Sequence, residues 1–225
     1  MAKKSSSGRF ITLEGGEGAG KSTQARRLAA HLEKLGMPVI VTREPGGSPG
    51  AEKLREVILS GAAEPFGPSG EAILFAAARI DHIDATIAPA LKRGDWVISD
   101  RFADSTRAYQ GSAGKLDPVL IASLERVALG DIRPDLTLIL DLPVEIGMAR
   151  AAERRGKTAK ADRFEAEGTE FHETLRRAFL DIAAAEPERC AVIAAYRSPD
   201  EVAKAIWKVV RKRFARILKP RETKD

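Results

Sequence analysis

The chain has 225 residues, 44% hydrophobic and 31% charged, with a net charge of +5 and a pI near 9.4. This balance excludes a disordered, collagen-like or disulfide-scaffold chain, and no run of about 18 apolar residues exists to span a bilayer. The positive charge sits at the ends, +3 in residues 1–9 and +6 in residues 208–225, which leaves −4 for the chain between them.

Basic tails more often serve solubility than nucleic-acid binding, so the sequence argues against a nucleic-acid partner. A single cysteine, Cys190, can form neither an internal disulfide nor a thiolate metal cluster, and a reducing cytoplasm fits it best. The N-terminal lysines precede no apolar stretch, so residues 1–9 read as a flexible tail rather than a secretory signal, and residues 219–225 as a second tail.

In chain order, short apolar runs alternate with longer helical patterns. The runs are Phe10–Leu13, Val39–Val41, Trp96–Ile98, Leu136–Leu140 and Ala191–Ile193; helical stretches lie near 22–35, 51–60, 70–93, 117–129, 143–155, 169–185 and 199–218. The runs do not alternate in polarity, as expected of strands covered on both faces. No linker or fixed-period repeat divides the pattern. With Gly15–Ser22 after the first run fitting the phosphate-loop pattern G-x-x-x-x-G-K-[ST], the prediction is an α/β fold of the P-loop NTPase type: a three-layer sandwich with a central five-stranded parallel sheet, helices on both faces, and a single domain over 10–218.

Directly after the first run stand Gly15, Gly16, Glu17, Gly18, Ala19, Gly20, Lys21, Ser22 and Thr23, which fit G-x-x-x-x-G-K-[ST] between a strand and a helix. Glycines there allow the backbone N–H groups to turn inward on nucleotide phosphates, and the following helix adds its positive end. Lys21 is placed for the β and γ phosphates, and Ser22 offers a hydroxyl to the Mg²⁺ that bridges them. The motif points to a nucleoside triphosphate without separating kinase, GTPase and motor. No N-K-x-D or D-x-x-G string occurs, which removes the GTPase signature.

Within 70–93, Ile73, Ala76, Ile80, Ile83, Ile87 and Leu91 form an apolar stripe at helical spacing. Phe75 and Arg79 lie off that stripe and four residues apart, so a ring and a guanidinium share a face where a base can stack and be hydrogen-bonded; an extension of the core is the other reading. At the end of the third run come Asp100, Arg101 and Phe102, then Ser105, Thr106, Tyr109 and Gln110. Ligands of open α/β sheets bind at the carboxyl ends of strands, where Asp100 can hold metal-bound water, Arg101 can fork onto a phosphate, and the hydroxyl and amide groups can read a base. Residues 150–163 hold Arg150, Arg154, Arg155, Lys157, Lys160 and Arg163 against Glu153 and Asp162. They form a candidate lid whose cations would stabilise charge in phosphoryl transfer, with Gly156 and Gly168 as hinges.

Taken together, these segments resemble the thymidylate kinase family, which transfers a phosphoryl group from ATP to dTMP. The resemblance rests on Leu13–Thr23, on Thr42-Arg-Glu-Pro-Gly-Gly47, on Leu74–Arg79 with His82, on Ser99–Phe102 through Tyr109-Gln-Gly111, and on Pro134–Pro143. It implies that residues 15–23 with Arg150 bind MgATP, and that Glu17 meets the acceptor sugar's 3′-hydroxyl or metal-bound water. It implies further that Phe75 stacks on thymine, Arg79 reads its edge and Arg101 holds the acceptor phosphate. Ser105, Thr106 and Gln110 complete the base pocket, and Tyr109 lies by the sugar. Asp162–Glu165 resembles the segment after the lid, whose acidic residues face the acceptor.

Lys21, Arg101, Glu17, Arg154 and Arg155 are then the catalytic set, Ser22 and Asp100 the metal-side residues, and the partners ATP, dTMP and a second copy of the chain, with 70–93 the expected dimer face. Gly18 stands where one branch of the family carries an arginine, so this chain resembles the bacterial branch, whose lid supplies it. Phe102 replaces the tyrosine or histidine common after Asp-Arg. The alternatives are another pyrimidine nucleotide or nucleoside kinase, and a P-loop regulator that hydrolyses ATP without an acceptor.

Overall fold

The computed structural model describes residues 8–155 and 163–218, and the side chain of Arg155 lies outside the description. All five expected strands form: β1 (Phe10–Glu14), β2 (Val39–Arg43), β3 (Trp96–Asp100), β4 (Leu136–Asp141) and β5 (Cys190–Ala194). They make one parallel sheet in the order β2-β3-β1-β4-β5. Four of the five expected apolar runs stop short of a polar residue that the strand includes at its carboxyl end. Glu14, Arg43, Asp100 and Asp141 are those residues, and they share the edge at which a ligand is expected.

Alternate residues of each strand feed different cores, which explains the continuous apolar runs. Ile11, Leu13, Ile98 and Leu138 pack with Leu28 and Leu32 of α1 (Lys21–Lys34) and with Val202, Ile206 and Val210 of α9 (Pro199–Arg213). Phe10 and Val97 face Ile83, Ile87 and Phe102 on the other side. Ile139 meets Leu175 and Phe179 of α8 (Thr169–Ala185) there as well. Local signals mark the helix ends: Gly20 at φ +85° precedes α1, and Ser198 with Glu201 forms a reciprocal cap on α9.

The remaining helices are α2 (Pro49–Leu59), α3 (Gly67–His82), α4 (Ala88–Arg93), α5 (Ala103–Thr106), α6 (Pro118–Leu129) and α7 (Val144–Arg155). The expected helix at 70–93 is α3 and α4 joined by a π-turn at Ile83–Ile87. Pro89, which lacks an N–H, sits in the first turn of α4, and a break in the α-pattern before it relieves that position. A second π-turn at Arg107–Ala113 continues α5.

The predicted stripe needs a correction. Ala76, Ile83 and Ile87 are buried and Leu91 half-buried, but Ile73 and Ile80 are exposed, while Ala72, Arg79 and His82 face inward. A stripe read from hydrophobicity assumes that the inner face is apolar; α3 is turned to bury an arginine that has its own buried partners. No helix of the described residues is long and apolar enough to cross a membrane.

Candidate active site

At the carboxyl edge of the sheet the phosphate loop connects β1 to α1, with Gly15, Gly18 and Gly20 all at positive φ. Gly18 is the tightest: a Cβ added to it would collide with the backbone carbonyl of Gly147 in α7. Lys21 Nζ donates to the carbonyls of Gly15 at 3.0 Å and Gly16 at 2.8 Å. Burial, and then the charge of Arg101, push its ammonium down to about 8. The Ser22 hydroxyl donates to Asp100 Oδ2, so the two residues expected on the metal side are neighbours.

Arg101 is a non-glycine residue at φ +71°, a conformation that costs energy and survives only where its surroundings enforce it. Its N–H donates to Leu13 O at 2.9 Å. Its guanidinium donates to Glu17 Oε1 at 2.5 Å, to Gly15 O at 3.1 Å and to Ser105 Oγ at 3.3 Å. The Tyr109 hydroxyl donates to the same Glu17 oxygen at 2.7 Å, and the guanidinium carbon lies 4.9 Å from the Tyr109 ring centre. Burial alone would raise the Glu17 carboxyl; Arg101, Lys21 and the Tyr109 hydroxyl override it and hold the group at about 2.

Sequence reasoning missed Glu14, which carries this arrangement from below. Its Oε1 accepts the Phe102 N–H at 2.7 Å, and its other oxygen pairs with the Ser105 hydroxyl at 2.6 Å. Phe102 begins α5 with no side-chain cap of its own, and Glu14 supplies that acceptor from a different element. Burial, and then the neighbouring Asp104 carboxylate, raise Glu14 to about 8. Its position, the polar residue just past an apolar run and just before the glycines, was the available signal.

Beside the loop opens a cavity of about 490 Å³, within the size range of small-molecule sites. Glu17, Phe75, Arg79, Arg101, Ser105, Thr106, Tyr109, Gln110 and Arg154 all line it, as do Gly18 to Thr23 and Asp100. Seven cationic side chains face four carboxylates, a balance that suits phosphorylated ligands. Arg26, Arg43, Glu44, Arg55 and Phe164 also line it and were not singled out from sequence, although Arg43 and Glu44 lie in the Thr-Arg-Glu-Pro-Gly-Gly stretch. Phe164 stands 6.2 Å from Phe75 and edge-on to Tyr109 at 5.3 Å, so aromatic surface frames this end of the cavity.

The lid is divided. Arg154 Nη2 donates to Glu165 Oε1 at 2.6 Å on the cavity wall, whereas Arg150 donates to the carbonyls of Ala195 at 2.9 Å and Tyr196 at 3.4 Å, apart from the cavity lining. Residues 156–162, including Gly156, Lys157, Lys160 and Asp162, lie outside the described residues. Arg163 pairs with Glu71 and Glu64. Phe102 is buried edge-on against Phe10 at 4.8 Å, so the departure at that position is absorbed by packing.

A parallel sheet in this order, a phosphate loop after its first strand, and a basic cavity joined to that loop through Arg101 define a P-loop nucleotide kinase. The thymidylate kinase family model matches residues 13–206. The chain is 57% identical over 214 residues to a thymidylate kinase of Bradyrhizobium diazoefficiens, covering 95% of this chain and 93% of that one. It is 59% identical over 208 residues to one of Rhodopseudomonas palustris strain TIE-1, covering 92% and 90%. The crystal structure of thymidylate kinase from Ehrlichia chaffeensis superposes with a TM-score of 0.73 at 32% identity, covering 90% of this chain and 98% of that one. The chain belongs to the thymidylate kinase family, and it is a phosphotransferase that converts dTMP to dTDP with ATP.

Proposed function

We propose that residues 15–23 hold the triphosphate of ATP and that the cavity beside them holds dTMP, with thymine between Phe75 and Arg79 and its phosphate against Arg101. The observation that carries this reading is Arg101 itself, whose guanidinium touches both the loop carbonyl of Gly15 and the carboxylate of Glu17 while lining the cavity. A group held by Arg101 therefore lies next to whatever the loop cradles. Gln110 and Thr106 close the base end, Ser105 supports Arg101, and Tyr109 stands over the sugar position. Arg150, bound to the turn after β5, serves the nucleotide side and not the acceptor.

In the reaction a phosphate oxygen of dTMP attacks the γ-phosphorus of ATP, and the bond to the ADP oxygen breaks. The dTMP phosphate is already ionised, so no general base is needed; positioning and charge neutralisation carry the rate. Lys21 and Arg101 both donate to the Gly15 carbonyl, at 3.0 Å and 3.1 Å, so two cations stand together where the phosphates of donor and acceptor would meet. Arg154 adds a cation from the described edge of the lid, with Arg155 as the alternative. Ser22 and Asp100 offer hard oxygen donors of the kind Mg²⁺ takes, and an ion held there would neutralise charge on the ATP phosphates.

The domain organisation that accompanies this reading is one kinase domain over 10–218 with its lid at 150–163. A homodimer formed through α3, where Ile73 and Ile80 are exposed, and a cytoplasmic location suited to the buried thiol of Cys190 complete it. The test is ADP formation from MgATP with dTMP, dUMP, dCMP, UMP, AMP, GMP, thymidine or no acceptor. Selective turnover with dTMP is expected. Another preferred acceptor removes the pocket assignment, and acceptor-independent hydrolysis alone removes the kinase reading.

A further inference from the structure

Arg79 is fastened at two of its three nitrogens. Nε donates to Glu44 Oε2 at 2.7 Å, and Nη2 donates to the Phe102 carbonyl at 3.2 Å and to Thr106 Oγ1 at 3.1 Å. Nη1 has no protein partner among the described residues, and the side chain lines the acceptor cavity.

The fastening continues behind Arg79. The Glu44 N–H donates to Asp100 O at 2.9 Å, its Oε1 lies 3.0 Å from His82 Nδ1, and His82 Nε2 lies 2.7 Å from Thr42 Oγ1. A carboxylate only accepts, so Nδ1 carries the hydrogen; in the neutral ring Nε2 then accepts from the Thr42 hydroxyl. Arg79, Glu44 and His82 are 3%, 6% and 0% exposed, so from half-buried Thr42 on β2 the chain passes through buried His82 and Glu44 to Arg79 on the cavity wall. In that setting hydrogen bonds to charged groups are strong, and a broken one is not replaced by water.

A guanidinium nitrogen offers hydrogens and no lone pair. It suits a ring carbonyl and sets donor against donor with an exocyclic amino group. An arginine free to swing would withdraw from that clash, but one held at Nε and Nη2 has nowhere to go. We infer that Glu44, backed by His82 and Thr42, is a specificity-positioning residue, which by fixing Arg79 makes the pocket prefer keto-bearing over amino-bearing pyrimidine monophosphates. This inference rests on the reading above that the acceptor base lies at Arg79.

The experiment compares kcat and KM for dTMP and dCMP, at saturating MgATP, in the wild type and in Glu44→Gln, Thr42→Val and Arg79→Ala. The glutamine keeps the shape: its oxygen still accepts from Arg79, and its amide meets His82 once the ring hydrogen moves to Nε2 and is donated to Thr42. Only the charge that pins Arg79 is lost. Glu44→Gln should raise the dTMP KM about 10-fold with little change in kcat or the ATP KM, and lower the dTMP-to-dCMP preference in kcat/KM by about 10-fold. Thr42→Val, at a half-buried position, should move the same preference in the same direction by about 3-fold. A preference unchanged in Glu44→Gln, or equal losses on both acceptors, overturns the inference. If Glu44→Gln fails to fold, an unchanged preference in Thr42→Val overturns it instead. A wild-type preference in Arg79→Ala removes the base reading and this inference together, whereas a loss there with none in Glu44→Gln removes the inference alone.

Discussion

Glu17 Oε1 receives the Arg101 guanidinium at 2.5 Å and the Tyr109 hydroxyl at 2.7 Å, so a single carboxylate oxygen ties the phosphate loop to the Asp-Arg turn and to the π-turn behind it. On the proposed reading, this contact would set the acceptor and donor sides at a fixed separation before either substrate arrives, the structural form of catalysis by positioning.

Removing Arg101 should disable the acceptor phosphate site and leave Glu17 without its main counter-charge. Arg101→Ala is expected to lower kcat/KM for dTMP by about 100-fold or more. The same pair fixes an acid limb. Glu17 is held at about 2, below its ordinary 4.5, so its stabilisation is fully present above 4.5 and lost as the pH falls through about 2. Urea unfolding midpoints at pH 5 and pH 3 should fall less in Glu17→Gln than in the wild type; parallel losses would contradict the assignment.

Burial, and then the charge of Arg101, hold Lys21 down at about 8 against the carboxylates of Glu17, Asp100 and Glu14. Phosphate binding requires the ammonium form, so ATP affinity should weaken as the pH rises through 8, while Lys21→Arg should show no such decline up to pH 10. Lys21→Ala should abolish turnover with the fold intact. Calorimetric ATP titrations at pH 7 and pH 9 read the first effect, and circular dichroism with the activity assay the second.

Glu14 has the opposite sign. Its folded pKa is raised to about 8, so the native state binds the proton more tightly than the unfolded chain and loses stability as the pH climbs from 4.5 through 8. Glu14→Gln keeps an acceptor for the Phe102 N–H and has no charge to bury. The stability of Glu14→Gln relative to the wild type should increase between pH 5 and pH 9 in denaturant titrations, and a constant difference would show that Glu14 is not the titrating group.

How far the sequence could be read follows from where its signals lie. All five strands and the phosphate loop were legible because parallel strands covered on both faces are apolar throughout and the loop's glycines have one spacing. Of the polar strand ends, Asp100 was legible beside Arg101, whereas Glu14 was not, since an apolar run ends just where the site begins. The helix and π-turn at 103–113 gave no helical periodicity, being built from Ser105, Thr106, Gln110 and Gly111, residues that serve the cavity more than the core. Arg79 was legible as a cavity residue through its pairing with Phe75, but its burial depends on Glu44, 35 positions away, and no local pattern encodes that.

Gly18 accounts for the branch of the family to which this loop belongs. At φ +66°, with the Gly147 backbone pressed against it, the position has no room for a side chain. Gly18→Arg should therefore displace α7 from the loop, lowering both the thermal midpoint and ATP affinity, and it should not substitute for a missing Arg154. Recovery of activity in Gly18→Arg/Arg154→Ala relative to Arg154→Ala would contradict this.

The most direct measurement is a crystal structure with dTMP and a non-hydrolysable ATP analogue bound together. The account predicts thymine against the Phe75 ring with a ring carbonyl at Arg79 Nη1, the dTMP phosphate on Arg101, and the analogue's β and γ phosphates around Lys21. A dTMP base bound away from Phe75 and Arg79, or a phosphate that does not contact Arg101, would contradict it.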